Sequence, residues 1–256
     1  MSLVAKPVPT FAGHVLTLRA VSKRYGAVEA LSAVDLDVAA GDVLGICGDN
    51  GAGKSTLIRI ISGAQEPSAG EMTVRGAAVR FRSPQDAHAA GIATIYQDLA
   101  LSPSLAIWQN VFLGAELTRF GLLDKAGMRA DSARYMARLG VAISDVDAPV
   151  ANLSGGQRQA VAISRALRLN ADVIVMDEPT AALGVKETAQ VLELIRRLKA
   201  DGKTIILVSH NMADVVAVAS RVAIFKSGRK VIDRATAGLD ADALAHMVMT
   251  GRESSP

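Results

Sequence analysis

The chain has 256 residues, half of them hydrophobic and 21% charged, which excludes a disordered or fibrous protein and leaves room for a large buried core. Its 28 Lys and Arg against 25 Asp and Glu leave a net charge of +3, too small a surplus to argue a nucleic-acid footprint. The single cysteine, Cys47, rules out an intramolecular disulfide framework and a multi-cysteine metal cluster.

From the start of the chain, the first 14 residues lack the charged-then-apolar order of a signal peptide and are interrupted by Pro7 and Pro9. No apolar run approaches the roughly 20 residues that cross a bilayer, so a soluble chain is expected, and the single cysteine fits a reducing compartment. Residues 15–21 and 31–38 alternate apolar with polar or small residues, the period of half-buried strands. Residues 71–75, Gly76 and residues 79–81 read as a hairpin beside them. Residues 98–165 carry helical patterning with glycine breaks at Gly121, Gly127, Gly140 and Gly155–Gly156, and are expected to form a helical subdomain. Residues 173–176 and 205–208 are continuous apolar runs, as in strands buried on both faces. Between them Val191, Leu194, Ile195 and Leu198 repeat at i, i+3, i+4 and i+7, an amphipathic helix closed by Gly202. Strands alternating with helices predict an α/β protein with parallel strands, the helical part inserted in its core and residues 1–256 forming one domain. The polar residues 252–256 are expected to fray.

The densest local signal is Gly48, Asp49, Asn50, Gly51, Ala52, Gly53, Lys54, Ser55 and Thr56, after the apolar run 43–46 and before a helix with Leu57, Ile60 and Ile61 on one face. This G-x-x-x-x-G-K-[ST] pattern in a strand–loop–helix context is a phosphate loop rather than a chance glycine turn. Glycines let backbone N–H groups converge on phosphate oxygens, and the helix N-terminus adds about half a positive charge. Lys54 is expected to reach the β- and γ-phosphates, Ser55 to ligate Mg²⁺, and Thr56 to meet the α-phosphate. Cys47 beside the loop reads as a packed small hydrophobe.

Asp177 and Glu178 follow the buried run 173–176 and so emerge at a strand's carboxyl end, where open α/β sheets bind ligands. Alone, such a pair is as often a turn. With a phosphate loop in the same chain, Asp177 becomes a candidate Mg²⁺ ligand and Glu178 a candidate for polarising an attacking water. His210 follows the run 205–208 at the same edge, where its imidazole would lie near a γ-phosphate. Gln97, after residues 92–96, is a candidate for holding the metal or orienting the water; otherwise it is an ordinary loop amide.

Ser154, Gly155, Gly156 and Gln157 begin another helix, with Ser154 and Gln157 forming an S-x-x-Q capping box and Ala160, Ile163 and Leu167 among its apolar positions. Two glycines in the first turn would let an anion held by another molecule approach the backbone; a plain helix start is the alternative.

These pieces together resemble the ATP-binding subunit of an ATP-binding-cassette (ABC) transporter, over nearly the whole chain and in the family's order. Residues 48–56 resemble its Walker A loop, Gln97 its Q-loop, 153–157 its signature, 173–178 its Walker B strand with the catalytic Glu, and His210 its switch histidine. Tyr25, in Lys23-Arg24-Tyr25-Gly26, stands where the family stacks an aromatic ring on adenine. The resemblance implies a P-loop NTPase core with an N-terminal antiparallel β subdomain and an inserted helical subdomain. It also implies ATP and Mg²⁺ as ligands, and two copies that sandwich two ATP molecules, so that Ser154, Gly155, Gly156 and Gln157 serve the partner's γ-phosphate. The family commonly has Asp in the loop after the catalytic Glu; Gly184 stands there, which removes one carboxylate contact across the dimer.

Residues 95–99, 110–114 and 249–253 resemble the bacterial monosaccharide-importer branch, whose members handle ribose-, xylose- and fructose-like sugars. Most of them fuse two cassettes, and one cassette here implies a homodimer. The resemblance further implies permease subunits in the membrane, a periplasmic sugar-binding protein, no nucleic acid, and a place on the cytoplasmic side of the inner membrane. A different small solute, or a soluble non-transport role, is the alternative. The uncharged residues 99–115, with Trp108 and Phe112, are expected to meet the permease; core packing is the other reading.

Overall fold

The computed structural model describes residues 13–253. The leader reading at residues 1–12 and the last part of the expected frayed end, 254–256, lie outside them. In order the elements are β1 (His14–Tyr25), β2 (Val28–Ala39), β3 (Val43–Gly48), α1 (Lys54–Ile61), β4 (Ala69–Val74), β5 (Ala77–Val79), α2 (Pro84–Ala89), β6 (Ile92–Ile95) and α3 (Ile107–Phe112). There follow β7 (Thr118–Arg119), β8 (Leu122–Leu123), α4 (Lys125–Arg138), α5 (Gly155–Arg168), β9 (Val173–Asp177), α6 (Val185–Ala200) and β10 (Thr204–Val208). The last elements are α7 (Met212–Val218), β11 (Arg221–Lys226), β12 (Arg229–Ala235) and α8 (Ala241–Thr250).

The apolar runs become the centre of a six-stranded sheet, β12-β11-β3-β10-β9-β6, parallel except for β12. Successive side chains of a strand face opposite ways, so the sheet divides two cores. Ile174, Met176, Ile205 and Leu207 pack with the helices of one layer, whereas Val173, Val175, Ile206 and Val208 pack with α1 and the antiparallel sheet β2-β1-β4-β5. Burial on both sides is why these strands read as unbroken apolar runs.

Register fixes the functional edge. Val208 pairs with Ile46 on one side and Asp177 on the other, and Ile95 pairs with Met176. The carboxyl ends of β3, β6, β9 and β10 therefore lie side by side.

Three details differ from the sequence expectation. The second arm of the hairpin spans Ala77–Val79 rather than residues 79–81. Beyond it the Asp86 carboxylate accepts the Arg82 and Ser83 N–H groups at 2.8 and 3.0 Å, turning the chain out of the sheet into α2. The helical region also holds a two-stranded hairpin, β7–β8, and its α5 runs on to Arg168.

The expectation that Trp108 and Phe112 meet a membrane partner is overturned, since both are buried in the helical layer. Trp108 Nε1 donates to Asp147 Oδ1 at 2.8 Å, and the Arg129 guanidinium, bonded to the same carboxylate, lies 4.9 Å over the indole. Asn110, fully buried, accepts from Ser102 N and donates to the Ser102, Leu105 and Ala106 carbonyls. The part of the uncharged stretch at α3 is thus packed core, its backbone groups bonded to Asn110 and to neighbouring segments such as Val146, Ala148 and Val150.

Candidate nucleotide-binding site

The phosphate loop leaves β3 at Gly48, where any side chain would collide with the Phe225 carbonyl. It ends at Gly53, at φ +102°, with 2.7 Å between an added Cβ and the Ala30 carbonyl oxygen. Both conditions exclude every other residue. Gly53 starts α1, which has no side-chain cap and no acidic residue in its first turn. Its opening N–H groups and positive dipole end are free to meet an anion. Lys54 Nζ spans the loop, donating to the Gly48 and Asp49 carbonyls at 2.5 and 3.0 Å. Beside the loop is a cleft of about 390 Å³, walled by residues 28–30 and 50–56 and closed by Ser227 and Gly228.

At the same sheet edge Glu178 leaves β9 at φ +52°, held by its N–H to the Val208 carbonyl at 2.9 Å. Its Oε2 lies 2.7 Å from His210 Nδ1 and also receives the His210 N–H at 3.3 Å. The histidine is well exposed, while the glutamate side chain is largely covered. Asp177 is half-buried, and its carboxyl is pushed up by burial first and then by the neighbouring Glu178 charge, against the opposing pull of Lys54 and Arg59. Among the described residues its carboxylate has no hydrogen-bond partner. Cys47, buried behind the loop, has its thiol pushed up to about 12, chiefly by burial, so it is an inert packing residue.

Residues 154–157 do not line the cleft, and they begin α5. The capping box is present: Gln157 N donates to Ser154 Oγ at 3.3 Å and Ser154 N to Gln157 Oε1 at 3.0 Å. Gly155 N is also taken, by Glu187 Oε1 at 2.8 Å. The glycines lie against side chains of Leu183 and of α6: a Cβ at Gly155 would meet the Leu183 side chain, and one at Gly156 would come within 2.7 Å of Gln190 Oε1.

Tyr25 closes β1, two-fifths exposed, with its hydroxyl bonded to the Gln65 side chain. Gln97 is exposed two residues beyond β6, with no hydrogen bond to the Glu178–His210 pair among the described residues. Nearby, a groove of about 250 Å³ runs between α2, the end of β6 and α5, with His88, Tyr96, Leu99 and Arg165 on its walls. Sequence reasoning missed Glu187, because Gly184 has no side chain to form a capping box with it and its other partner, Gly155, is 32 positions away. It also missed Asp214, which accepts from Thr180 Oγ1 at 2.6 Å.

A glycine loop feeding an uncapped helix, with Asp177, Glu178 and His210 at the same edge of a parallel sheet, defines a P-loop ATPase. Residues 31–181 match the ABC transporter family model. Over 85% of this chain and 86% of the other, the sequence is 47% identical to the fructose import ATP-binding protein of Rhizobium meliloti. It is 46% identical to the xylose/arabinose import ATP-binding protein of Sulfolobus acidocaldarius, covering 86% and 88%. The ribose import ATP-binding protein of Chromobacterium violaceum is 42% identical over 93% of this chain, which spans only 47% of that protein. Among solved structures, a Clostridium perfringens cassette that is part of an ABC transporter complex superposes with TM-score 0.78 at 26% identity, covering 93% of each chain. A dimeric cassette in a post-hydrolysis state with ADP and phosphate gives 0.72 at 26% identity, covering 88% of this chain and all of that one. The chain belongs to the ABC transporter family, as an ATP-binding cassette.

Proposed function

We propose that this chain hydrolyses ATP to drive import of a monosaccharide, as the nucleotide-binding subunit of an importer whose membrane pathway lies in other chains. The observation that carries the ATPase reading is the Glu178–His210 pair, 2.7 Å apart at the sheet edge that carries the phosphate loop. The sugar reading rests on the fructose, xylose/arabinose and ribose import names of its relatives.

In this reading the residues from Gly48, Asp49 and Asn50 through Gly51, Ala52 and Gly53 wrap the triphosphate, with Lys54 against the β- and γ-phosphates and Thr56 near the α-phosphate. Tyr25 takes the adenine. Ser55 and Asp177 fit a divalent cation, because a half-buried carboxylate with no internal partner beside a second acid calls for positive charge. Mg²⁺ there would supply charge against the phosphate oxygens. Glu178 draws a proton from the attacking water, His210 holds that carboxylate in place, and Gln97 reaches toward the same water or the cation. Ser154, Gly155, Gly156 and Gln157 face the nucleotide of a second copy.

Among the described residues no helix is long and apolar enough to cross a membrane, so transport requires partner permease subunits. The groove beside Tyr96 and Arg165 offers them a docking place that buried Trp108 and Phe112 do not. The subunit would then sit on the cytoplasmic side of the inner membrane, with a periplasmic sugar-binding protein delivering the substrate. The test is to co-express the chain with candidate permease subunits, reconstitute them in vesicles, and measure ATP-driven uptake of fructose, xylose and ribose. Uptake that stops with Glu178→Gln is expected. ATP turnover that neither associates with nor responds to any multi-span membrane protein would overturn the transport reading in favour of a soluble role.

A further inference from the structure

An α-helix opens with four backbone N–H groups that have no partner within it. At α5 these belong to residues 154–157, and three are already bonded inside the chain: Ser154 N to Gln157, Gln157 N to Ser154, and Gly155 N to Glu187. Of these four, only the Gly156 N–H has no partner among the described residues, and the Ser154 hydroxyl belongs to the same turn.

Glu187 has a second task. Its other oxygen accepts the Gly184 N–H at 3.3 Å, which is the start of α6. One half-buried carboxylate therefore bridges two helix N-termini, each carrying about half a positive charge. The Leu183 and Gln190 side chains occupy the space that a Cβ at Gly155 or Gly156 would enter.

The segment from Glu178 to Gly184 is fixed at its other end as well. Glu178 is bonded to His210, and Thr180 donates to the buried Asp214 of α7. A continuous set of bonds thus runs from the hydrolytic pair, through residues 180–184, to the first turn of α5. Gly184 contributes only backbone to it, and the carboxylate comes from Glu187.

We propose that Glu187 is a positioning residue that sets the first turn of α5 against the Glu178 segment. It holds Ser154 Oγ and Gly156 N–H at the attitude in which they meet the triphosphate of a second copy, and so links the two nucleotide sites of the pair. The inference rests on the reading that residues 154–157 face a second copy.

The test uses the full chain carrying Glu178→Gln, in which ATP is held without turnover, and measures the ATP concentration that half-drives dimerisation by light scattering on a sizing column. ATP affinity is measured separately on a chain bearing Ser154→Arg, which blocks pairing. Glu187→Ala is expected to raise the dimerisation midpoint about tenfold, the scale of losing charge-assisted hydrogen bonds. Glu187→Gln, whose amide oxygen retains one acceptor, is expected to raise it about threefold. Neither should alter the ATP affinity of the unpaired chain, which a general loss of structure would lower. If Ser154→Arg abolishes dimerisation while Glu187→Ala leaves the midpoint unchanged, the positioning role alone is overturned. It is likewise overturned if Glu187→Ala lowers monomer affinity by the same factor. If Ser154→Arg dimerises normally, the composite-site reading falls, and this inference with it.

Discussion

α1 and α5 both begin at glycine-rich turns, yet their opening N–H groups meet opposite fates. α1 starts from Gly53 with no capping side chain and no acid in its first turn, and Lys54 lies across the loop that precedes it. α5 starts from Ser154 with its own capping box and the Glu187 carboxylate on Gly155. A bare helix start carries concentrated positive potential and open donors, which suits a polyphosphate. A capped start has given most of its donors to its own chain and keeps a rigid surface with few groups to offer. The two glycine patterns look alike in sequence but do different physical work. In the phosphate loop glycine permits backbone that no other residue adopts, and at α5 it leaves room for the side chains of Leu183, Glu187 and Gln190.

The sharpest way to break the comparison acts on the chemistry beside α1. Glu178→Gln removes the proton acceptor while leaving an amide oxygen for His210, and should lower ATP turnover by about 10²–10⁴-fold with little change in ATP affinity. Parental turnover would show that the pair only shapes the loop. Lys54→Ala comes next. It removes a charged donor from the bare helix start and should weaken ATP binding by roughly 10–100-fold, measured by titration of the unpaired chain. Unchanged affinity would mean that the backbone donors alone hold the phosphates, and the phosphate-loop assignment of Lys54 would fail.

Asp177 lies between these groups and carries a cost in the folded chain. A carboxyl whose folded value is raised binds its proton more tightly folded than unfolded, so its contribution to stability falls as pH rises above the ordinary carboxylate range. Asp177→Asn should therefore raise the Tm at neutral pH in a chelating buffer while abolishing ATP turnover. The gain should shrink as pH falls toward the ordinary carboxylate range, where the unfolded carboxyl also takes up its proton. A variant that melts lower at neutral pH would refute the account of Asp177 as a destabilising carboxylate that a cation relieves.

The phosphate loop, the central strands and the acidic pair were legible in the sequence because each is written locally. Residues 48–56 have a fixed spacing, and residues 173–176 and 205–208 are buried on both faces, so pattern and environment coincide. What was not legible depends on contacts far apart in the chain. Glu187 reaches Gly155 across 32 positions, and Trp108 is covered by Asp147 across 39. The only tryptophan of the chain reads as an interface residue until those neighbours are known. Asp147 and Arg129 supply its polar partner and its stacked cation, and the interface reading no longer holds. The short hairpin β7–β8 has two residues in each strand and no period to detect.

The smallest test acts on the capped helix. Ser154→Ala deletes the hydroxyl that accepts Gln157 N–H, a change that costs a typical helix about 1 kcal/mol. Here the bond is long, at 3.3 Å, and Glu187 independently holds Gly155, so the loss should lie near the lower end of the usual range, about 0.5 kcal/mol. For a chain of this size that is a drop of roughly 1–2 °C in Tm. Combining Ser154→Ala with Glu187→Ala should cost more than the sum of the two, because each cap masks the loss of the other. Strict additivity in thermal melts would mean that the two carry separate loads, with the Gln157 and Gly155 N–H groups held independently.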